Sequence, residues 1–286
     1  MDCAASYPRR LDPAEVGESS LDMTIRGALI DVDGVLHVDD VPIPGAIEVL
    51  AELRERGVPF RLLTNTTVRS RQSLGIALRG MGFAVADDEI ITAGGAAADY
   101  VRRRFPGQPV YLLARDEVAE EYDGIELTDG SEARVVVVGD AGEGFSWAAM
   151  NHAFRLLLDG AALIAMHRGP WWMTSDGPAI DAGAFIRGLE FASGTRSTLV
   201  GKPSVPFFRA GLRALNLPAN QVMMIGDAIR QDLLPAQRLG MTTILVRTGK
   251  FRPDDLALGT PDVVLGSVAE LGEWGSGPWD VGCDVR

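Results

Sequence analysis

Two aspartates one residue apart, Asp31 and Asp33, end an apolar run and are followed at once by a glycine: Ala28-Leu-Ile-Asp-Val-Asp-Gly-Val-Leu36. Extended backbone sends residues i and i+2 to the same side, so both carboxylates would leave one buried strand together, and Gly34 permits a sharp exit. Two carboxylates this close repel unless a cation or a proton intervenes. Such a pair can do phosphoryl chemistry: one carboxylate attacks phosphorus, and the other protonates the leaving oxygen and later deprotonates water. Taken alone, the same residues also make a turn at Asp33-Gly34 and a cap at Asp31.

Three further apolar segments end in polar groups. Val58 to Leu63 runs into Thr64, Asn65, Thr66 and Thr67; Thr198 to Val200 runs into Gly201-Lys202-Pro203; Val222 to Ile225 runs into Gly226-Asp227, with Asp232 five residues on. If the four strands share one parallel sheet, these groups meet at its carboxyl edge, where open α/β folds bind ligands. Carboxylates with positions left for water and phosphate oxygens suit Mg²⁺, and an ammonium with hydroxyl and amide donors neutralises a phosphoryl group. His37, His152 and His167 have no partner at zinc spacing, and Cys3 and Cys283 lie near opposite ends, which supports neither a zinc site nor a disulfide framework.

The elements that must position these groups alternate. Helix over 46–56, strand 58–63, helix 71–81 capped by Ser70, and strand 90–91 follow the first strand, with Pro44 in the first helical turn. Strand and helix in short alternation predict an α/β fold with a doubly wound, Rossmann-like parallel sheet. Residues 93–196 carry a second set of strands and helices bracketed by the first, and they are expected to form an inserted α/β domain. The core is then 24–92 with 197–271, and residues 1–23 and 272–286 are expected to be loose termini. Gly139-Asp140 also follows an apolar strand, but it lies inside the insertion and has no Asp five residues on. Trp171 and Trp172 fit a platform for a leaving group, interior packing or a subunit contact.

Asp31-Val-Asp-Gly-Val, Thr64-Asn65, Gly201-Lys202-Pro203 and Gly226-Asp227 with Asp232 resemble, in order, the four motifs of the haloacid dehalogenase (HAD) superfamily of phosphohydrolases. The insertion resembles the second (C2) type of cap, found in subclass IIA, the branch of NagD, the phosphoglycolate and pyridoxal phosphatases and the phospholysine phosphohistidine inorganic pyrophosphate phosphatase. His167-Arg-Gly, Asp176-Gly, Gly183-Ala-Phe, Leu189-Glu190 and Val246-Arg-Thr-Gly-Lys-Phe251 are further echoes of that last group. The resemblance covers residues 27–253.

The resemblance implies Mg²⁺-dependent hydrolysis of a small phosphorylated compound through an aspartyl phosphate. By it Asp31 is nucleophile and metal ligand, and Asp33 is acid and base with its main-chain carbonyl on the metal. Thr64 and Asn65 bind the phosphoryl group, Lys202 steadies nucleophile and phosphate, Asp227 is the remaining protein ligand, and Asp232 supports the metal shell. The loop from His167 to Asp176 is placed over the site, which assigns His167 to the substrate. Ala228 stands where many relatives carry a second acid, and Leu233-Leu-Pro235 replaces a Gly-rich stretch. A homodimer through the cap follows from the branch alone. The rivals are a phosphotransferase using the same intermediate, a phospho-receiver, which has no use for so large a cap, and a non-catalytic protein on the same scaffold, which predicts damaged motifs.

A formal charge of −12 and a pI near 4.7 argue against a nucleic-acid binder or a ligand of anionic membranes. No apolar run approaches the ~20 residues that cross a bilayer, and the first 23 residues lack the apolar core of a signal peptide, so the expected location is the cytoplasm.

Overall fold

The run Gly27-Ala-Leu-Ile-Asp31 forms strand β1 (Gly27–Asp31), buried at every position. The computed structural model of the chain describes residues 25–174 and 177–274. After Gly34 come a small antiparallel hairpin, β2 (His37–Val38) with β3 (Val41–Pro42), then α1 (Ala46–Glu55), β4 (Phe60–Thr64), α2 (Arg71–Gly80) and β5 (Ile90–Thr92). Val49, Leu50 and Leu53, at helical spacing, bury one face of α1. Ser70 caps α2 by accepting the Ser73 N–H, as its position predicted. Pro44 is not in the first helical turn: Gly45, at φ 85°, stands between it and the helix.

The chain leaves β5 directly into α3 (Ala93–Arg104), where Thr92 Oγ1 accepts the Gly95 N–H. A second set follows: β6 (Val110–Leu113), β7 (Val135–Val138), α4 (Trp147–Leu158), β8 (Ala162–Ala165), the antiparallel hairpin β9 (Trp171–Thr174) with β10 (Gly177–Ile180), and α5 (Ala182–Ser193). Strands β6, β7 and β8 make a parallel sheet. Its two faces bury separate apolar clusters, one under α3 and one under α4 and α5.

The strand expected to return to the core, Thr198 to Val200, does not. β11 (Thr198–Leu199) pairs with β8 and is the edge of the second sheet, and Val200 packs in that sheet's cluster. So short an apolar run carries no sign of which sheet edge it joins. The return to the first sheet therefore falls in Gly201-Lys202-Pro203, just ahead of α6 (Val205–Leu215).

β12 (Val222–Gly226) then pairs with β1. Asp232 lies in a π-helical turn, Ile229–Leu233, that leads into α7 (Leu234–Arg238). β13 (Thr242–Val246), β14 (Val263–Leu265) and α8 (Leu271–Trp274) complete the chain, so residues 272–274 are helical rather than loose. The other residues expected to be loose, 1–23 and 275–286, lie outside the described residues, as does Thr24.

The first sheet runs β14-β13-β12-β1-β4-β5 and is parallel throughout. Its order reverses at β1, which places the carboxyl ends of β1, β4 and β12 side by side at the topological switch point. Helices α1 and α2 cover one face, and α6 with α7 the other. Among the described residues no helix is long and apolar enough to cross a membrane.

Candidate active site

β1 delivers Asp31 at its last position, and the side chain is almost fully buried. Its Oδ1 accepts the Val32 N–H at 2.7 Å and lies 2.6 Å from Lys202 Nζ. The same ammonium is 2.8 Å from Asp232 Oδ1. The π-helical turn makes that possible by folding Asp232 back onto the end of β12, where a Cβ on Gly226 would lie 2.5 Å from Asp232 Cβ. Ala228 fills no acidic role; its N–H donates to Asp232 Oδ2 at 3.1 Å.

Asp227 follows β12. Its Oδ2 accepts the Lys250 N–H at 2.6 Å, and its buried Oδ1 has no hydrogen-bond partner among the described residues. Two glycines at positive φ enclose this carboxylate, Gly34 at 85° and Gly249 at 63°, and a Cβ on either would sit 2.2 Å from Oδ2. Thr248 Oγ1 donates to the Gly34 carbonyl and ties the two turns together.

Asp31, Asp227 and Asp232 each bring an oxygen within 4.8 Å of the others. Three buried acids around one ammonium leave the cluster short of positive charge, and among the described residues Asp227 Oδ1 is a buried acceptor without a donor. Both observations fit a hard divalent cation held by oxygen ligands. Burial, and then the charge of Asp31, push Asp227 up to about 6. Burial likewise drives Asp232 up to about 7 against the pull of Lys202. Burial opposes the Lys202 charge, but Asp232 and Asp31 outweigh it and hold the ammonium well above its ordinary range.

Asp33 is placed differently from Asp31. Its side chain is 51 % exposed, and Thr64 Oγ1 donates to its Oδ2 at 3.1 Å. Thr64 Oγ1 in turn accepts the Thr66 N–H. Asn65 grips the main chain of Lys202 at both ends: Oδ1 accepts the Lys202 N–H at 2.8 Å, and Nδ2 donates to the Lys202 carbonyl at 3.0 Å. The amide assigned to the phosphoryl group is thus engaged in placing the lysine.

His167 lies two residues beyond β8, and among the described residues its side chain meets Thr67, Gly169 and Asp181 rather than Asp31, Asp227 or Asp232. Arg168 is tied to Ser197 and Glu190, with Nη2 2.7 Å from the Ser197 carbonyl and 3.3 Å from Glu190 Oε1. Trp171 is 52 % exposed at the start of β9. Of the remaining loop, residues 175–176 lie outside the described residues.

Sequence reasoning found the acids and the lysine and missed the turn that seats Asp227. Thr248-Gly249-Lys250 was visible only as a family echo, because a main-chain N–H donor has no residue type to reveal it.

The chain is similar to known proteins along most of its length. The profile of haloacid dehalogenase-like hydrolases matches residues 28–128, and a second, HAD-hydrolase-like profile matches residues 199–271. The chain is 41% identical over 231 residues to human haloacid dehalogenase-like hydrolase domain-containing protein 2, covering 81% of this chain and 87% of that one. It is 38% identical over 237 residues to human phospholysine phosphohistidine inorganic pyrophosphate phosphatase, covering 81% and 86%. Among solved structures, the p-nitrophenyl phosphatase from Archaeoglobus fulgidus superposes with a TM-score of 0.82 at 32% identity, over 87% of this chain and 99% of that one. NagD from E. coli K-12 superposes with a TM-score of 0.79 at 31% identity, over 86% and 98%. The chain belongs to the haloacid dehalogenase-like hydrolase family, in the branch that holds NagD and the p-nitrophenyl phosphatases.

Proposed function

We propose that this HAD-family phosphatase hydrolyses a small phosphorylated compound through an aspartyl phosphate on Asp31, with Mg²⁺ as its metal. The observation that carries the reading is the state of Asp31: both of its close contacts, to the Val32 N–H and to Lys202 Nζ, fall on Oδ1, which leaves Oδ2 for phosphorus. A carboxylate fixed by one oxygen and buried beside a cation is oriented for attack and weakly solvated.

Asp31 and Asp227 would hold the metal, with the main-chain carbonyl of Asp33 and with Asp232 in support. When bound, Mg²⁺ supplies positive charge to the phosphoryl oxygens. Lys202, 2.6 Å from Asp31 Oδ1, supplies the protein's own positive charge. Asp33, oriented by the Thr64 hydroxyl, gives its proton to the leaving oxygen as Asp31 Oδ2 bonds to phosphorus. In the second half Asp33 takes a proton from water, the water oxygen bonds to phosphorus, and the acyl–phosphate bond breaks to return the Asp31 carboxylate and free phosphate.

The human relative named for phospholysine, phosphohistidine and inorganic pyrophosphate supports phosphoramidates and pyrophosphate beside phosphate monoesters as the classes to test. The experiment is a phosphate-release screen over the three classes, with Mg²⁺ and with excess chelator. Turnover requires Mg²⁺ and no added acceptor; a requirement for an acceptor would point to phosphotransfer. Asp31→Asn removes turnover and covalent labelling, and Asp33→Asn slows both halves. Phosphate release by Asp31→Asn at the wild-type rate would sink the mechanism.

A further inference from the structure

We infer that Thr67 and His167 form a lock between the phosphate-binding loop and the second unit, and that His167 influences turnover through Thr67 rather than by touching substrate. Thr67 belongs to the segment that follows β4 and carries Thr64 and Asn65. Its hydroxyl leaves the first unit and enters the carboxyl edge of the second sheet. There Oγ1 accepts the Asp140 N–H at 3.0 Å and meets His167 Nε2 at 3.2 Å. Thr67, Asp140 and His167 are all buried. Gly139 makes the docking possible: a Cβ there would lie 3.2 Å from Thr67 Cβ and 2.5 Å from Met166 Sδ. The Gly-Asp pair inside the insertion, which has no place in the acid cluster, thereby acquires a role.

The ring of His167 has no nitrogen to offer a ligand. Its Nδ1 accepts the Gly169 N–H at 3.1 Å, which puts the proton of the neutral ring on Nε2. That proton faces Thr67 Oγ1, with Asp181 Oδ1 at 3.6 Å beside it. Asp181 also caps α5 by accepting the Ala182 N–H, and Asp140 is held by Arg115 at 3.3 Å. Burial keeps the imidazole neutral, in keeping with that donor arrangement. One threonine hydroxyl thus gathers the ends of β7 and β8 onto the loop that places Thr64 against Asp33 and Asn65 against Lys202. Release of the lock would shift those groups, and displacements of about 1 Å in positioning groups cost on the order of 100-fold in rate.

The link to turnover rests on the phosphatase reading above, whereas the lock itself does not. The first test is therefore amide hydrogen exchange on the full chain without metal or substrate. Thr67→Val should speed exchange at the Asp140 N–H, whose acceptor it removes, and Thr67→Ser should restore protection. Unchanged exchange at Asp140 in Thr67→Val overturns the lock.

The second test is kinetic. Thr67→Val and His167→Ala should each lower kcat/KM on p-nitrophenyl phosphate by roughly 10- to 100-fold, the double variant should lose no more than either single one, and Thr67→Ser should stay within about threefold of wild type. Additive losses would mean that His167 works on the substrate separately, and the inference falls. If Thr67→Val does not fold, His167→Ala carries the exchange test, since it should expose the Asp140 N–H without touching that amide; full protection there counts against the lock. A wild-type chain that releases no phosphate would defeat the functional reading and leave the exchange result standing.

Discussion

Lys202 Nζ lies 2.6 Å from Asp31 Oδ1, and the lysine reaches that carboxylate from the loop after β11, a strand of the other sheet. The cation beside the proposed nucleophile is therefore delivered by the segment that joins the second unit to α6. Asn65, at the end of β4, clamps the lysine's main chain into place.

Removing this ammonium strands two buried carboxylates. Breaking a buried ion pair by deleting one partner costs roughly 3–5 kcal/mol, because the remaining charge loses its compensation. Lys202→Met should therefore destabilise the chain by about that amount at pH 8 and abolish turnover. Asp232, already up to about 7, can take a proton in its place, so the stability loss should shrink as pH falls below that value. Urea unfolding of both proteins at pH 5.5 and pH 8 measures it, and an equal loss at both pH values would argue against charge as the cause.

The acids were legible because residue type, spacing and a preceding apolar run all pointed the same way at Asp31, Asp33 and Asp227. The parallel sheet was legible from strand and helix alternation. The partner of Thr198-Leu199 was not, since two residues pair equally well with either sheet edge and the choice rests on packing of Val200 against Ile164 and Met166 in one cluster. Nor could sequence place Asp232, because the π-helical turn that returns it to Gly226 depends on backbone geometry that no side chain announces. His167 was assigned to the substrate by resemblance, and the hydrogen bonds on both its nitrogens are contacts that only the folded chain creates.

Asp227 should govern metal affinity, and Gly249 should govern Asp227. Asp227→Ala removes one of few anionic ligands and should raise the Mg²⁺ concentration for half-maximal activity by at least about tenfold. Gly249→Ala leaves every ligand in place, but its Cβ would meet Asp227 Oδ2 and the residue would be strained at φ 63°. It should weaken Mg²⁺ binding in the same direction. Calorimetric titration of Mg²⁺ into both variants without substrate provides the check; wild-type affinity in Gly249→Ala would show that the turn yields without moving Asp227.

Metal binding should depend on pH with a definite sign. Folding raises the carboxyls of Asp227 to about 6 and Asp232 to about 7. An acid raised in the folded state contributes stability that is full below its unfolded value near 3.8 and is lost as pH rises through the folded value. The metal-free chain should thus lose stability between about pH 4 and 7 from these two groups. Mg²⁺ must displace their protons, so its affinity should climb over the upper part of that range and its binding should release protons. Thermal unfolding with and without Mg²⁺ across pH 5 to 8 should give a Tm gain that grows with pH. A constant gain would mean that the metal does not meet these carboxylates.

The hairpin of β9 and β10 should influence which leaving group is accepted without taking part in the chemistry. It springs from the His167 edge, which docks on Thr67, and it presents Trp171, 52 % exposed, opposite Ile180, 62 % exposed. An apolar surface so placed can contact a bulky leaving group, and a partial contact of this kind is worth less than the ~1–3 kcal/mol of a full hydrophobic pocket. Trp171→Ala should then reduce kcat/KM on aromatic or otherwise bulky phosphate compounds by roughly five- to tenfold relative to pyrophosphate, which has no such group. Arg168→Ala is the internal contrast. Its guanidinium is bonded to Ser197 and Glu190, so its loss should lower Tm and change all substrates alike. Steady-state kinetics on a matched series of leaving groups, run beside thermal unfolding, separates the two effects. If Trp171→Ala slows every substrate equally, the hairpin supports the fold rather than selecting the substrate.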